Sequence, residues 1–218
     1  MYQFSEEDMG NIFEQVLLEA KVSKNHRFNI VERELCSFQG IPDFIAINAL
    51  NNIDNTKLLH PEASCKVLAS LKESSGRKFE YIKKTTGLSE NVTKNALKEL
   101  IEKKFVTQNK NLYYSSISGM FESDIWAFEL KLADWRRAIF QALQYKAFAS
   151  YSVTVFPLEK EKILQDNIDV FKELNIGLML LDIETSKSKW LNRPKKSKPI
   201  SRWQKLYVFF KVINSIKK

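Results

Sequence analysis

Hydrophobic positions divide this chain into stretches of two kinds, some with helical spacing and some with alternation. Between residues 5 and 22 the apolar residues Ile12, Val16, Leu17 and Ala20 fall on one helical face. Ser5 with Asp8 three residues later marks the start of that helix. From 27 to 35 the period drops to two: Phe28, Ile30, Glu32 and Glu34 share one parity, Asn29, Val31, Arg33 and Leu35 the other, which predicts a strand. Ser37-Phe38-Gln39-Gly40 reads as a turn, and 41–49 as an apolar strand entered by a single acid, Asp43.

A polar linker at 51–55 separates this beginning from a stretch of different character. Helical spacing predicts helices over 61–72 and 79–84, then a longer one capped by Ser89 and reaching 103, with Val92, Ala96, Leu97, Leu100 and Ile101 on its apolar face. Residues 105–107 and 112–114 read as the arms of a small hairpin. Alternation returns over 124–132, where Trp126, Phe128 and Leu130 oppose Ile125, Ala127, Glu129 and Lys131. Asp134 caps a helix running to 149, followed by a strand at 151–156, a helix over 159–174 and a buried strand at 176–181. A terminal helix from Ser201 repeats Trp203, Leu206, Tyr207, Phe210, Ile213 and Ile216 at helical spacing, so that it docks by an aromatic face and leaves its basic residues outward. Strands alternating with helices imply an α/β layer architecture.

Composition narrows the class. With 218 residues, 44% of them hydrophobic, the chain is long enough for one large domain or two small ones and is expected to fold. No apolar run approaches the roughly 20 residues of a membrane span, and the first eight residues do not form a secretory leader, so no membrane partner is expected. Cys36 and Cys65 lack motif spacing and read as reduced thiols of a cytoplasmic protein; with His26 and His60 also dispersed, no zinc site is expected. The formal charge of +8 is concentrated: residues 187–218 hold 11 Lys and Arg and no acid, which leaves 23 basic and 26 acidic groups elsewhere. Polyanions are the natural partners of such a segment. Residues 187–198 read as an extended, exposed connector before the terminal helix, and a membrane-surface helix is the weaker alternative.

Chemistry enters through two separated strands. An acid entering a buried strand, as Asp43 does, is costly unless it is paired or coordinates a metal. Glu129 and Lys131 lie two apart on a strand and so on one side of a sheet. With residues 50–123 set aside, the strands at 41–49 and 124–132 become a hairpin whose antiparallel pairing brings Asp43 to Glu129 with Lys131 beside it. Two carboxylates suit a hard cation such as Mg²⁺, with Mn²⁺ as a substitute, and the adjacent ammonium can orient or help deprotonate a water and offset charge during phosphodiester hydrolysis. No Ser or Cys triad offers a nucleophilic alternative.

Pro42-Asp43 with Glu129-Leu130-Lys131 resembles the PD-(D/E)xK signature of the restriction-endonuclease-like nucleases. Gln141-Ala142-Leu143-Gln144-Tyr145 is similar to the Q-x-x-x-Y motif of their RecB-like branch. The likeness covers residues 5–181 apart from the insert. It departs from the family in the long separation of Asp43 from Glu129. The resemblance implies a central mixed sheet flanked by helices, with Asp43, Glu129 and the Leu130 carbonyl as metal ligands and Lys131 catalytic. Gln141 and Tyr145 would support the site or meet the DNA backbone. Glu14, ahead of Glu19, would match the family's acid on the first helix.

Residues 58–116 in turn resemble a winged helix-turn-helix, which implies Asn91, Lys94, Asn95 and Lys98 on a helix facing duplex DNA. Protein contact is the other use of such modules. Arg136, Arg137, Lys195, Lys196 and Lys198 are the candidate backbone contacts. The expected organisation is a nuclease domain in two halves, 1–50 and 121–186, a winged-helix insertion at 56–117, and a basic extension at 187–218. The leading expectation is a Mg²⁺-dependent DNA endonuclease. The rivals are a non-catalytic DNA-binding regulator or assembly subunit on a nuclease-like fold, and an RNA- or junction-directed nuclease. A homodimer or a partner subunit stays open.

Overall fold

A computed structural model describes residues 4–19, 28–48, 58, 61–117 and 123–215. The linker expected at 51–55, together with His26 and His60, lies outside the described residues. The chain forms two compact units, residues 1–49 with 124–200 and residues 50–123 with 201–218.

The first unit is an α/β layer built on a six-stranded mixed sheet. Its strands are β1 (Ile30–Arg33), β2 (Phe44–Ile47), β5 (Ile125–Leu130), β6 (Tyr151–Pro157), β7 (Gly177–Asp182) and β8 (Lys187–Asn192), β3 and β4 lying in the second unit; the spatial order follows the chain. β5, β6 and β7 are parallel, and β1/β2, β2/β5 and β7/β8 are antiparallel. Parallel neighbours need a crossover, and helix α5 (Trp135–Tyr145) supplies the first. Both faces of the sheet are buried. Trp126, Phe128 and Leu130 of β5, with Phe44, Val153, Val155 and Met179, pack beneath Met9, Phe13, Val16 and Leu17 of α1 (Glu6–Leu18). The opposite face packs Phe156, Leu178 and Leu180 against Ala138, Ile139, Ala142 and Phe171.

Two segments depart from expectation. Residues 187–192, expected within an exposed connector, form β8, whose Trp190 packs edge-on to Trp126 with ring centroids 6.5 Å apart. Its lysines mask the strand, since Lys187 and Lys189 face solvent while Ser188 and Trp190 turn inward. The helix expected over 159–174 is broken into a 3-10 turn (Leu158–Lys160), α6 (Glu161–Gln165) and α7 (Ile168–Glu173). The Asn167 side chain donates to the Ile163 carbonyl at 2.8 Å, occupying an acceptor that a continuous helix would use.

The second unit contains α2 (Pro61–Ser70), α3 (Phe79–Thr86), α4 (Glu90–Glu102), the hairpin β3 (Val106–Asn109) and β4 (Leu112–Ser115), and α8 (Arg202–Ser215). Gly87 ends α3 with φ +67°, a left-handed conformation that glycine takes without steric cost. Ser89 then caps α4 through the Val92 amide. Leu206 and Phe210 of α8 enter the same core as Cys65, Leu68, Ile82, Leu97, Leu100 and Phe105. Among the described residues no helix is long and apolar enough to cross a membrane.

Candidate active site

The site begins with a turn. Ser37 donates its hydroxyl to the Gly40 carbonyl at 2.7 Å and its amide to the same oxygen at 3.0 Å. Gly40 takes φ +110°, where a Cβ would lie 3.3 Å from Gln144 Oε1, so the backbone passes close over α5. Pro42 follows, and Asp43 stands immediately before β2. The β2/β5 register pairs Phe44 with Phe128, and one further step sets Asp43 opposite Glu129. The antiparallel pairing that the two strands implied in sequence is present.

Asp43 Oδ2 accepts a 2.6 Å hydrogen bond from the Leu130 amide. Glu129 is 1% exposed, and both of its oxygens are engaged. Oε1 lies 2.9 Å from Lys131 Nζ, and Oε2 accepts from the Tyr145 hydroxyl at 2.5 Å. A carboxylate has about four lone-pair sites, so both oxygens retain acceptor capacity. Lys131 Nζ also donates to the Leu130 carbonyl at 2.9 Å. The Tyr145 hydroxyl lies 3.3 Å from the Ile41 carbonyl, tying α5 to the turn that delivers Asp43.

Electrostatics follow from burial. Burial, then the Glu129 charge, push the Asp43 carboxyl up to about 6. Burial alone lowers the Lys131 ammonium, but its hydrogen bond to Glu129 and that residue's charge outweigh it, and the net shift is upward. Lys131 therefore stays cationic at neutral pH. Burial and the Glu129 contact raise the Tyr145 phenol, which stays a neutral donor.

Two acids of the first helix stand in different surroundings. Glu14 pairs with Arg33 at 2.7 Å and is absent from the lining of the cleft. Glu6, in the first turn of α1, accepts from the Leu132 amide at 3.3 Å and lies 3.7 Å from Lys131 Nζ. Its sequence signal was ambiguous, because an acid in the first turn also suits the helix dipole. A cavity of about 460 Å³ opens here, lined by Glu6, Glu7, Arg33, Glu34 and Asp43 among others. Glu34, with φ +48°, donates its amide to the Asp43 carbonyl at 3.1 Å, an unusual backbone for a non-glycine residue that fixes the approach to Asp43.

Gln141 has its Oε1 buried without a hydrogen-bond partner among the described residues. Arg136 and Arg137 are exposed, Arg136 lying over the Trp135 ring at 4.3 Å. Lys195 and Lys198 are also exposed, and Lys196 pairs with Asp124 at 2.9 Å. In the second unit Asn91, Lys94, Asn95 and Lys98 all lie on the exposed face of α4, with Lys94 bridged to Glu90 at 2.6 Å.

Asp43, Glu129 and the Leu130 carbonyl form an all-oxygen donor set. Among the described residues no group of three or more His, Cys, Asp or Glu side chains is arranged to hold a metal. That set is sparse for calcium or zinc, but it fits Mg²⁺, which takes one or two carboxylates and keeps much of its water. Four carboxylates, those of Glu6, Glu7, Glu34 and Asp43, line the cleft with Arg33 as its one cation among the described residues, an electrostatic setting that favours a cation. Compared with family models, curated proteins and solved structures, the chain matches none.

Proposed function

We propose that the chain is a Mg²⁺-dependent DNA endonuclease, with a restriction-endonuclease-like core and a winged-helix unit inserted into it. The observation that carries this reading is the register that sets Asp43 opposite Glu129, with Lys131 bridging Glu129 and the Leu130 carbonyl. Asp43, Glu129 and the Leu130 carbonyl would hold the cation, which supplies Lewis acidity toward the phosphate and acidifies water. Lys131, kept as an ammonium, offsets charge that develops on the phosphate oxygens and orients the attacking water by donation. In that protonation state it does not act as the base. Tyr145 fixes the rotamer of Glu129, and Gln141, one turn earlier on the same helix, would support that placement from within the protein. The exposed face of α4 and the lysines at 195 and 198 supply phosphate contacts that position duplex DNA.

The test incubates the protein with supercoiled and linear DNA in Mg²⁺, Mn²⁺ or EDTA, beside Glu129→Ala and Lys131→Ala. Nicking or linearisation in the presence of metal is expected, lowered at least 100-fold in either variant. No cutting by wild type in either metal, or equal cutting by both variants, overturns the enzyme reading.

A further inference from the structure

The outer face of α5 carries a feature that the hydrolytic site does not use. Phe140 is 63% exposed, a high value for a large apolar ring near the middle of a helix. Arg136 lies one turn before it at i−4 and Arg137 at i−3, so both exposed arginines share a helix face with the ring, the Arg136 guanidinium resting over Trp135. No Asp or Glu occurs in Trp135–Tyr145. Gln144, at i+4, brings its side-chain oxygen against Gly40 of the turn, 3.3 Å from where a Cβ would stand. On that turn Ile41 is 51% exposed and Phe38 46% exposed. The turn with these exposed apolar residues thus meets α5 at Gln144, one turn beyond Phe140, and the Ile41 carbonyl on the chain leading to Asp43 is itself in reach of Tyr145.

Cations that draw in a phosphate backbone, interleaved with an exposed ring, match the requirements of an unpaired strand rather than a duplex. Bases in a duplex present only their edges, whereas an unpaired base offers a face on which an aromatic side chain stacks. We infer that the α5 face of Arg136, Arg137 and Phe140 binds an unpaired segment of DNA, with a base stacked on Phe140, and leads it to the Asp43–Glu129 site. The substrate class is then DNA with a single-stranded stretch beside the scissile phosphate, such as an overhang, flap or branch. This inference rests on the nuclease reading for its final step, delivery to the carboxylates, but its binding step is measured separately.

The experiment uses the full chain carrying Glu129→Ala, so that binding is read without cutting. Fluorescence anisotropy follows a labelled deoxythymidine oligonucleotide and a duplex of equal length, and 2-aminopurine emission in a second oligonucleotide reports stacking. Phe140→Ala is expected to weaken the single strand about 10-fold, within the range for one lost stacking contact, and to leave duplex binding within about twofold. Phe140→Tyr should retain both affinity and 2-aminopurine quenching. Arg136→Gln with Arg137→Gln should weaken the single strand and reduce its salt dependence. The inference is overturned if Phe140→Ala leaves single-strand affinity unchanged or lowers both substrates equally. Tighter binding of the corresponding ribo-oligonucleotide overturns the assignment to DNA. If the binding results hold but wild type cuts no DNA of any kind in Mg²⁺ or Mn²⁺, the nuclease reading fails while the strand-binding face stands; if it cuts duplex but no flap or overhang, delivery to the Asp43–Glu129 site is overturned.

Discussion

Asp43 is the residue at which structure and chemistry pull in opposite directions. Its carboxyl is partly buried beside Glu129, and its pKa stands at about 6 against an ordinary 3.8. An acid with a higher pKa folded than unfolded binds its proton more tightly in the native state. Stability then falls as pH rises from about 4 to about 6, and the whole cost of ionising Asp43 is present above that window. Asn at this position keeps an oxygen that can accept from the Leu130 amide and carries no charge. In EDTA at pH 7.5, Asp43→Asn should therefore raise the stability of the first unit by about 1–2 kcal/mol, allowing for the screening of a partly exposed group. Near pH 4 the two proteins should coincide. Urea titrations at the two pH values measure this, and equal stability at pH 7.5 contradicts it. Added Mg²⁺ should reverse the order, since ligand that binds only the native wild type stabilises it by mass action, about 2.7 kcal/mol at 100 times Kd. On the proposed reading, the cost of ionising Asp43 is what the bound cation would offset.

Elements were legible in the sequence where local signals and burial agreed. The Gly87 stop after α3, the Ser89 cap and the stripe of Ala96, Leu97 and Leu100 predicted the start and run of α4 to within a residue or two, because a glycine stop, a cap and a stripe are separate physical requirements met together. β5 was readable because Trp126, Phe128 and Leu130 alternate against the core of α1. β8 was not, because an edge strand rich in lysine has only one inward face and its lysines look like a tail. The placement of Glu6 was not legible because its contacts are with Leu132 and Lys131, over 120 residues away in sequence, and no local pattern encodes that distance. The terminal helix was expected to dock by aromatic residues, and its structural consequence lies in the second unit. Phe210 is buried with its ring 5.5 Å from Phe105, and Arg202 donates to the Ala69 and Leu71 carbonyls at the end of α2. Phe210→Ala removes a fully buried ring and should cost about 3–5 kcal/mol. Hydrogen exchange should show that loss across α2 and α4, with the strands of the six-stranded sheet protected as before. Uniform loss of protection in both units would contradict the division.

At the scale of the whole molecule, the excess charge is distributed differently from a simple basic tail. Of the 11 Lys and Arg beyond residue 186, Lys187, Lys189, Arg193, Lys195, Lys196 and Lys198 belong to the unit with the six-stranded sheet, and the other five to the unit completed by α8. Several are already committed. Lys189 pairs with Glu161 at 2.5 Å, Lys196 with Asp124 at 2.9 Å, and Arg193 lies over the Trp190 ring at 5.4 Å. A cation held by a carboxylate must give up that partner to meet a phosphate, which offsets part of its gain on DNA. Lys195 and Lys198 are exposed and have backbone anchors on either side, where Asn175 binds the Lys195 main chain and Ile200 donates its amide to Lys146. Their ammonium groups can thus be presented from a fixed backbone at little ordering cost. On the nuclease reading these two carry the electrostatic contact of this segment, although counting cations would credit all six equally. The slope of log K against log salt measures the difference, because each phosphate neutralised on duplex DNA contributes about −0.9. Lys195→Ala with Lys198→Ala should make the slope shallower by nearly 2 and weaken every duplex sequence alike, whereas Lys196→Ala should change it by much less than 1. A Lys196→Ala effect as large as the double variant's would mean that the Asp124 pair opens on binding, and the assignment of phosphate contact to Lys195 and Lys198 alone would fall.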